Sequence, residues 1–227
     1  MTLVKICGIS SVKHARAAAA FGADFVGIVF APSQRQVTLG DAKRIAATLG
    51  AAASSGPKTA TQQAIEQALG SRRPLLVGVF ADQDADTINS IADDVGLDLV
   101  QLSGSEPWEM CSHIRRPVFK CMKVKEGEDA RDILAAAGEG AIVLLDPYVE
   151  GAYGGTGTIL DWRVAAAIAT ERPTVLAGGL APANVARAIQ TVHPWAVDVS
   201  SGVESDGVKD SDKIREFILA AKVTDDV

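Results

Sequence analysis

Cysteine and histidine are scarce in this chain of 227 residues, which carries three of each. An odd number of cysteines with no Cys-x-x-Cys pair argues against a disulfide framework and against a zinc site, and fits a reducing compartment. His14, His113 and His193 are scattered and make no metal-ligand spacing, so no metal and no other cofactor is expected. Positive charge is also short: 22 Lys and Arg against 28 Asp and Glu give a net charge of −6. Such a balance offers no footprint for nucleic acid or an anionic membrane surface, and any phosphate must be gripped locally. No apolar run approaches the roughly 18 residues of a membrane span. The first apolar segment begins almost at Met1, leaving no room for a signal peptide, and a cytoplasmic protein is expected. Finally, no Gly-x-Gly-x-x-Gly follows that segment, which weighs against an open doubly wound sheet.

What is present is apolar and alternating. Hydrophobic residues make up 48% of the chain, enough to bury one large core. Eight strands are expected at Leu3–Cys7, Asp24–Phe30, Leu75–Phe80, Leu97–Leu102, Val118–Val124, Ala141–Asp146, Thr174–Ala177 and Ala196–Ser200. They are nearly unbroken apolar runs, as parallel strands covered on both faces should be. Helical spacing separates them, as in Ala42, Ile45, Ala46 and Leu49, in Ile88, Ile91, Ala92 and Val95, and in Ile214, Phe217, Ile218 and Ala221. Thr38-x-x-Asp41 reads as a capping box, Pro182 suits a first helical turn, and Ser211 or Asp212 can cap the last helix. Eight such units predict an α/β protein, a single (β/α)8 TIM barrel spanning residues 1–227 as one domain.

One connection is enlarged. Between strands 2 and 3, Gly50 to Arg73 is rich in small and polar residues; Ala64, Ile65, Ala68 and Leu69 could form a short helix, and no chemistry is evident there. The C-terminal third is more telling. Thr174-Val-Leu-Ala-Gly-Gly-Leu180 and Ala196-Val-Asp-Val-Ser-Ser-Gly202 each break from an apolar run into small residues ahead of a helix. Two consecutive loops of this kind are the way a (β/α)8 barrel holds a phosphate after strands 7 and 8, although each alone could be an ordinary turn.

Reactive side chains should sit where strands end. Cys7 closes strand 1, Asp146 closes strand 6 after four apolar residues, and Asp198 lies within strand 8. A cysteine here is either a small buried hydrophobe or a reactive thiolate. An aspartate before Pro147 is either a turn cap or a buried carboxyl in use. A thiol and a carboxyl across one barrel mouth, beside a phosphate grip, would form an acid–base pair around a sugar phosphate.

Several segments recur in a familiar order: Lys5-Ile-Cys-Gly8, Gly27-x-x-Phe30 leading to Pro32-Ser-x-Arg35, Val77-Gly-Val-Phe80 and Val100-Gln-Leu102. They continue with Leu144-Leu-Asp146, Tyr153-Gly-Gly-Thr-Gly157, Asp161-Trp162, Ala177-Gly-Gly-Leu180 with Asn184, Val197-Asp-Val-Ser-Ser-Gly-Val-Glu204 and Gly207-Val-Lys-Asp210. Together they resemble the phosphoribosylanthranilate isomerase family of tryptophan biosynthesis, over the whole chain apart from the Gly50–Arg73 insert. The resemblance implies that Cys7 is the general base and Asp146 the general acid of an Amadori rearrangement of N-(5-phosphoribosyl)anthranilate. It implies that Arg35 faces the anthranilate carboxylate and that Asp198 contributes to binding. The phosphate would fall to Gly178, Gly179, Ser200, Ser201 and Gly202, and Gly154, Gly155 and Gly157 would give hinge freedom to a mobile loop. The chemistry would need a raised carboxyl pKa and a lowered thiol pKa. Lys5, two residues before Cys7, either shares its face or sits at the barrel floor. The expected partner is a small sugar phosphate, with neither nucleic acid nor membrane, in a monomer or homodimer.

One position departs from the family, which usually has His after Val-Gln-Leu where this chain has Ser103. A hydroxyl does not titrate near neutrality, so that role is dispensable or reassigned. Two other readings stay open: a barrel that binds a sugar phosphate without turning it over, and an isomerase for the aminoaldose phosphate of histidine biosynthesis. In the latter, Arg35 would be idle and an aspartate would be expected at position 7.

Overall fold

The computed structural model describes residues 1–50, 62–71, 74–148 and 160–223. Eight parallel strands close into a barrel in sequence order: β1 (Leu3–Ile6), β2 (Phe25–Val29), β3 (Leu75–Phe80), β4 (Leu99–Leu102), β5 (Val118–Val124), β6 (Ile142–Pro147), β7 (Thr174–Leu176) and β8 (Ala196–Val199). β1 closes the ring against β8, with Lys5 opposite Asp198. The helices are α1 (Val12–Phe21), α2 (Leu39–Thr48), α3 (Gln62–Ser71), α4 (Ala85–Val95), α5 (Ala130–Ala136), α6 (Trp162–Glu171), α7 (Val185–Val192) and α8 (Ser211–Lys222). None of them is long and apolar enough to cross a membrane. Between β4 and β5 the connection is a 3-10 helix, Trp108–His113, on which His113 is exposed.

The unbroken apolar runs of the strands resolve into two sets of alternate residues, because successive side chains point to opposite faces. Val4, Ile6, Val26, Ile28, Val100, Leu102, Val143 and Leu145 belong to the large cluster that the helices cover. Phe25, Val77, Leu99, Phe119, Ile142, Leu144 and Val175 form the second cluster, which fills the barrel. Parallel strands buried on both sides need apolar residues in both sets, which is why no clean alternation is visible in the sequence. The strands agree with the expected segments to within about two residues at each end. Cys7, Phe30, Ala177 and Ser200 fall just past the regular ladder, where the chain turns off the barrel rim.

Thr38 caps α2, its hydroxyl accepting from the Asp41 N–H. Two other helix starts differ from expectation. Asp210, rather than Ser211 or Asp212, caps α8, because it is the residue left in extended conformation and its carboxylate accepts from the N–H groups of Asp212 and Lys213. Pro182 lies in the turn before α7, not in its first helical turn; that turn is closed by Asn184, which accepts from the Ala181 N–H at 2.8 Å and donates to the Gly179 carbonyl at 2.9 Å.

The enlarged β2–β3 connection has a structural task. α3 covers the floor of the barrel: Ile65 and Leu69 are buried in the interior cluster beside Phe25, Leu75 and Ala196. Phe25, Phe119 and Trp195 pack there edge-to-face or tilted, with ring centroids 5.5–6.1 Å apart, and the Trp195 indole N–H donates to Glu66 of α3 at 2.9 Å. The floor is closed by aromatic and aliphatic packing, and the opposite end is left for chemistry.

Candidate active site

At the C-terminal end the inward-facing set turns polar. Continuing the alternation upward gives Cys7 on β1, Val29 and Ala31 on β2, Val79 and Ala81 on β3, Gln101 and Ser103 on β4, Cys121 on β5, Asp146 on β6, Ala177 on β7, and Asp198 and Ser200 on β8. All of these line one cavity of about 360 Å³, and Arg35 reaches its rim. Cys7, Asp146, Asp198, Arg35 and Ser200 are thus brought together. Gly178, Gly179, Ser201 and Gly202 lie in the flanking loops, beyond the cavity lining. Tyr153 and the glycines at 154, 155 and 157 lie outside the described residues.

Lys5 points up the barrel, not down to its floor. It is 0% exposed and its Nζ donates to Asp198 Oδ1 at 3.0 Å. Gly27, on the neighbouring strand, makes room: a Cβ there would stand 2.9 Å from Cys7 Sγ and 3.2 Å from Lys5 Nζ. Burial pulls the Lys5 ammonium down, but Asp198 and Cys7 outweigh it and hold its pKa above the ordinary value. Burial likewise pushes the Cys7 thiol up, and Lys5, although it opposes this, does not overcome it. The lowered thiol pKa expected from the chemistry is therefore not a property of the unliganded site: the cation is present, but desolvation of the thiolate is the larger effect. Cys121, deeper in the wall, is pushed up to about 12 by burial and is inert as a base near neutrality.

Asp146 is 9% exposed, and burial raises its carboxyl pKa against the opposing pull of Lys123. Lys123 stands opposite Asp146 in the β5–β6 register, and its Nζ donates to Oδ2 at 2.5 Å. A raised carboxyl is what a general acid requires. The carboxyl is committed to an ion pair and not to capping the turn before Pro147.

At the rim, the Arg35 N–H donates to Ser33 Oγ at 3.1 Å, which sets the turn after β2. Its guanidinium is already engaged: Nε and Nη2 donate to the two oxygens of Glu204 at 2.7 and 2.9 Å. Glu204 also accepts from Lys209, which donates in addition to the Ser200 carbonyl at 2.9 Å. A two-strand hairpin, Glu204–Ser205 with Val208–Lys209, carries this network. These bonds fix the Arg35 guanidinium at the cavity rim.

The two small-residue loops sit side by side. Gly178 and Gly179 both have positive φ, at 84° and 61°, and a Cβ on Gly202 would lie 1.9 Å from the Leu180 carbonyl oxygen. Only glycine lets the β8 loop lie this close to the β7 loop. Ser201 and Gly202 open a 3-10 turn, so their N–H groups have no partner within that turn. Such N–H groups beside consecutive left-handed glycines suit an anion.

Lys123, Glu204, Lys209 and Gln101 carry functional geometry that residue-by-residue reading did not assign. For Lys123 a signal existed: it falls on the same alternation as Phe119 and Cys121, one strand before an aspartate that ends a buried run. Glu204 and Lys209 had none, because their partners lie on distant elements.

The model of a family described as N-(5'phosphoribosyl)anthranilate (PRA) isomerase matches residues 42–220. The N-(5'-phosphoribosyl)anthranilate isomerase of Roseiflexus sp. (strain RS-1) is 44% identical over 223 residues, covering 98% of this chain and 98% of its own. The crystal structure of phosphoribosyl anthranilate isomerase from Thermotoga maritima superposes with a TM-score of 0.80 at 37% identity, over 98% of this chain and 100% of that one. Another, of the enzyme in complex with reduced 1-(o-carboxyphenylamino)-1-deoxyribulose 5-phosphate, gives a TM-score of 0.77 at 36% identity, with 98% and 100% coverage.

Proposed function

The chain belongs to the N-(5'-phosphoribosyl)anthranilate isomerase family, and we propose that it isomerises N-(5-phosphoribosyl)anthranilate to 1-(2-carboxyphenylamino)-1-deoxyribulose 5-phosphate in L-tryptophan biosynthesis. One observation carries this reading: a thiol on β1 and a raised carboxyl on β6 line one cavity, with an arginine fixed at its rim.

Those positions support the following steps. Asp146, protonated, gives its proton to the furanose ring oxygen; the C1–O bond breaks and the amine lone pair forms a C1=N iminium. Cys7, as thiolate, removes the proton from C2, and the C–H electron pair makes the C1=C2 bond of an enolamine as nitrogen regains its lone pair. C1 then takes a proton back from the thiol, and the C2 hydroxyl gives its own to the Asp146 carboxylate. Both groups return to their starting states and no cofactor is consumed. Arg35 would hold the anthranilate carboxylate through guanidinium N–H groups not given to Glu204. Gly178, Gly179, Ser200, Ser201 and Gly202 would hold the phosphate, and Asp198 would fix Lys5 beneath the thiolate it stabilises.

The thiolate forms against its resting tendency, so catalysis uses the enzyme with a proton on the carboxyl and none on the thiol. That form is a minority of the singly protonated site when the thiol is the weaker acid, and Lys5 raises its share. A coupled fluorescence assay that follows loss of phosphoribosylanthranilate tests the proposal. The purified chain is expected to turn the substrate over; no loss above the uncatalysed rate contradicts it.

A further inference from the structure

Gln101 lines the cavity and is 5% exposed. Its Nε2 donates to Ser103 Oγ at 2.9 Å, and among the described residues its carbonyl oxygen, Oε1, is buried without a hydrogen-bond partner. Turned over, the amide would make the same single hydrogen bond, Oε1 accepting from the Ser103 hydroxyl, and would present its NH2 group instead. In the observed orientation Oε1 is an unfilled acceptor buried in the cavity wall, and Ser103 holds the amide there. An unmet buried acceptor calls for a donor on the ligand.

The position of Gln101 selects which donor. It pairs in register with Val79, whose side chain belongs to the apolar patch formed with Cys7, Val29, Ala31 and Ala81. That patch is the cavity wall suited to an aromatic ring: Cys7 marks its end beside the β8 loop, and its β3 members, Val79 and Ala81, stand next to Gln101 and across the barrel from β7. A polar atom beside it meets the donor attached directly to the ring, which is the secondary amine joining ring to sugar. In the proposed reaction C2 of the sugar lies at the thiol, the end of the patch nearest the β8 loop.

Resting on the reading of this site as a phosphoribosylanthranilate isomerase, we propose that Gln101 is a further catalytic residue, whose carbonyl accepts the arylamine N–H and stabilises the iminium as positive charge develops on nitrogen. Ser103 acts as its positioning residue, a use for the hydroxyl that does not need titration. A hydrogen bond to a neutral amine is weak and one to a charged nitrogen stronger, so the contact favours the transition state over the ground state.

The test is steady-state kinetics with Gln101→Met, Gln101→Glu and Ser103→Ala, alongside affinity for reduced 1-(o-carboxyphenylamino)-1-deoxyribulose 5-phosphate, whose amine is neutral. Gln101→Met matches the side chain in volume and removes the acceptor; kcat should fall roughly ten- to a hundredfold, while affinity for the reduced product stays near that of the unaltered chain. Gln101→Glu keeps an acceptor and should retain more kcat than Gln101→Met, an order opposite to that of a purely structural role. Unchanged kcat in Gln101→Met, equal losses in the two variants, or a loss of analogue affinity in step with kcat would each overturn the assignment. Should Gln101→Met not fold, Ser103→Ala decides: a smaller loss of kcat with intact analogue binding supports the role, and unchanged kcat refutes it. Absence of turnover by the unaltered chain would instead refute the reading of the site, and this proposal with it.

Discussion

Replacing Gly27 by Ala should disable the site without unfolding the barrel. Gly27 has ordinary backbone geometry, so the effect is one of space alone. The added carbon would stand 2.9 Å from Cys7 Sγ, 3.1 Å from Cys7 Cα and 3.2 Å from Lys5 Nζ. Unstrained contacts between such atoms lie at about 3.5–4.0 Å, so the thiol must move by roughly 0.6 Å or more. Neither backstop yields easily: the Cα belongs to the adjoining strand, and Lys5 is pinned to Asp198. A displacement of this order at a reacting atom can cost about a hundredfold in rate, so kcat should fall by about ten- to a hundredfold. Overpacking should cost about 1–3 kcal/mol, seen as a fall in melting temperature of about 2–4 °C per kcal/mol for a chain of this size. The fluorescence assay gives kcat, thermal unfolding followed by circular dichroism reports stability, and titration with the reduced product reports whether the rest of the site survives. A folded Gly27→Ala protein with unchanged kcat would refute the reasoning, because it would mean that the thiol's position is immaterial.

Three further outcomes are expected. Lys123→Met removes the larger of the two cations, the other being Lys5, that hold the Asp146 carboxyl down against burial; its pKa should climb further, moving the acidic limb of the kcat/KM–pH profile to higher pH, and an unmoved limb would separate Asp146 from that ionisation. Ile65→Ala on α3 opens a void in the barrel floor and should cost about 2–5 kcal/mol with kcat unchanged, as measured by denaturant unfolding beside the activity assay; a selective loss of activity would contradict the division between floor and mouth. Arg35→Lys keeps the charge but loses the planar fork that Glu204 grips, so KM should rise well beyond any fall in kcat, and unchanged kinetics would remove Arg35 from the anthranilate end.

The pH profile also separates two ways of running the same chemistry. The thiol starts from an alkaline ordinary value and is pushed up, whereas the carboxyl starts from an acidic one. The lower ionisation of the unliganded site is therefore the carboxyl's and the upper the thiol's, and both belong to a coupled pair. On the proposed mechanism the acidic limb should report Asp146 and the basic limb Cys7, the reverse of an assignment that takes each group in its working state.

How much of this was legible beforehand depends on where each partner lies in the chain. Strand positions were readable from local apolar runs, and Cys7 and Asp146 stood out because each ends such a run. The Lys5 ambiguity was one of period: two residues from Cys7 on a regular strand it had to share that face, and it does. The desolvation of Cys7 was not readable, because it is set by the closing of eight strands around the thiol. The grip of Glu204 on Arg35 was equally hidden, since 169 residues separate them. Asp210 displaced Ser211 and Asp212 as the α8 cap because three adjacent residues could each cap, and only backbone conformation chooses between them. The floor role of α3 was invisible because its amphipathic pattern names no partner.

The acid–base pair itself is tested most directly by Cys7→Ala and Asp146→Asn, each assayed for kcat and for binding of the reduced product. Removing a positioned general acid or base costs about 10²–10⁴ in rate, and neither substitution touches the loops after β7 and β8. Each variant is predicted to lose at least about a hundredfold in kcat while still binding the reduced product. Near-normal turnover by Cys7→Ala, with chemistry shown to be rate-limiting, would make Cys7 a core residue and contradict the account.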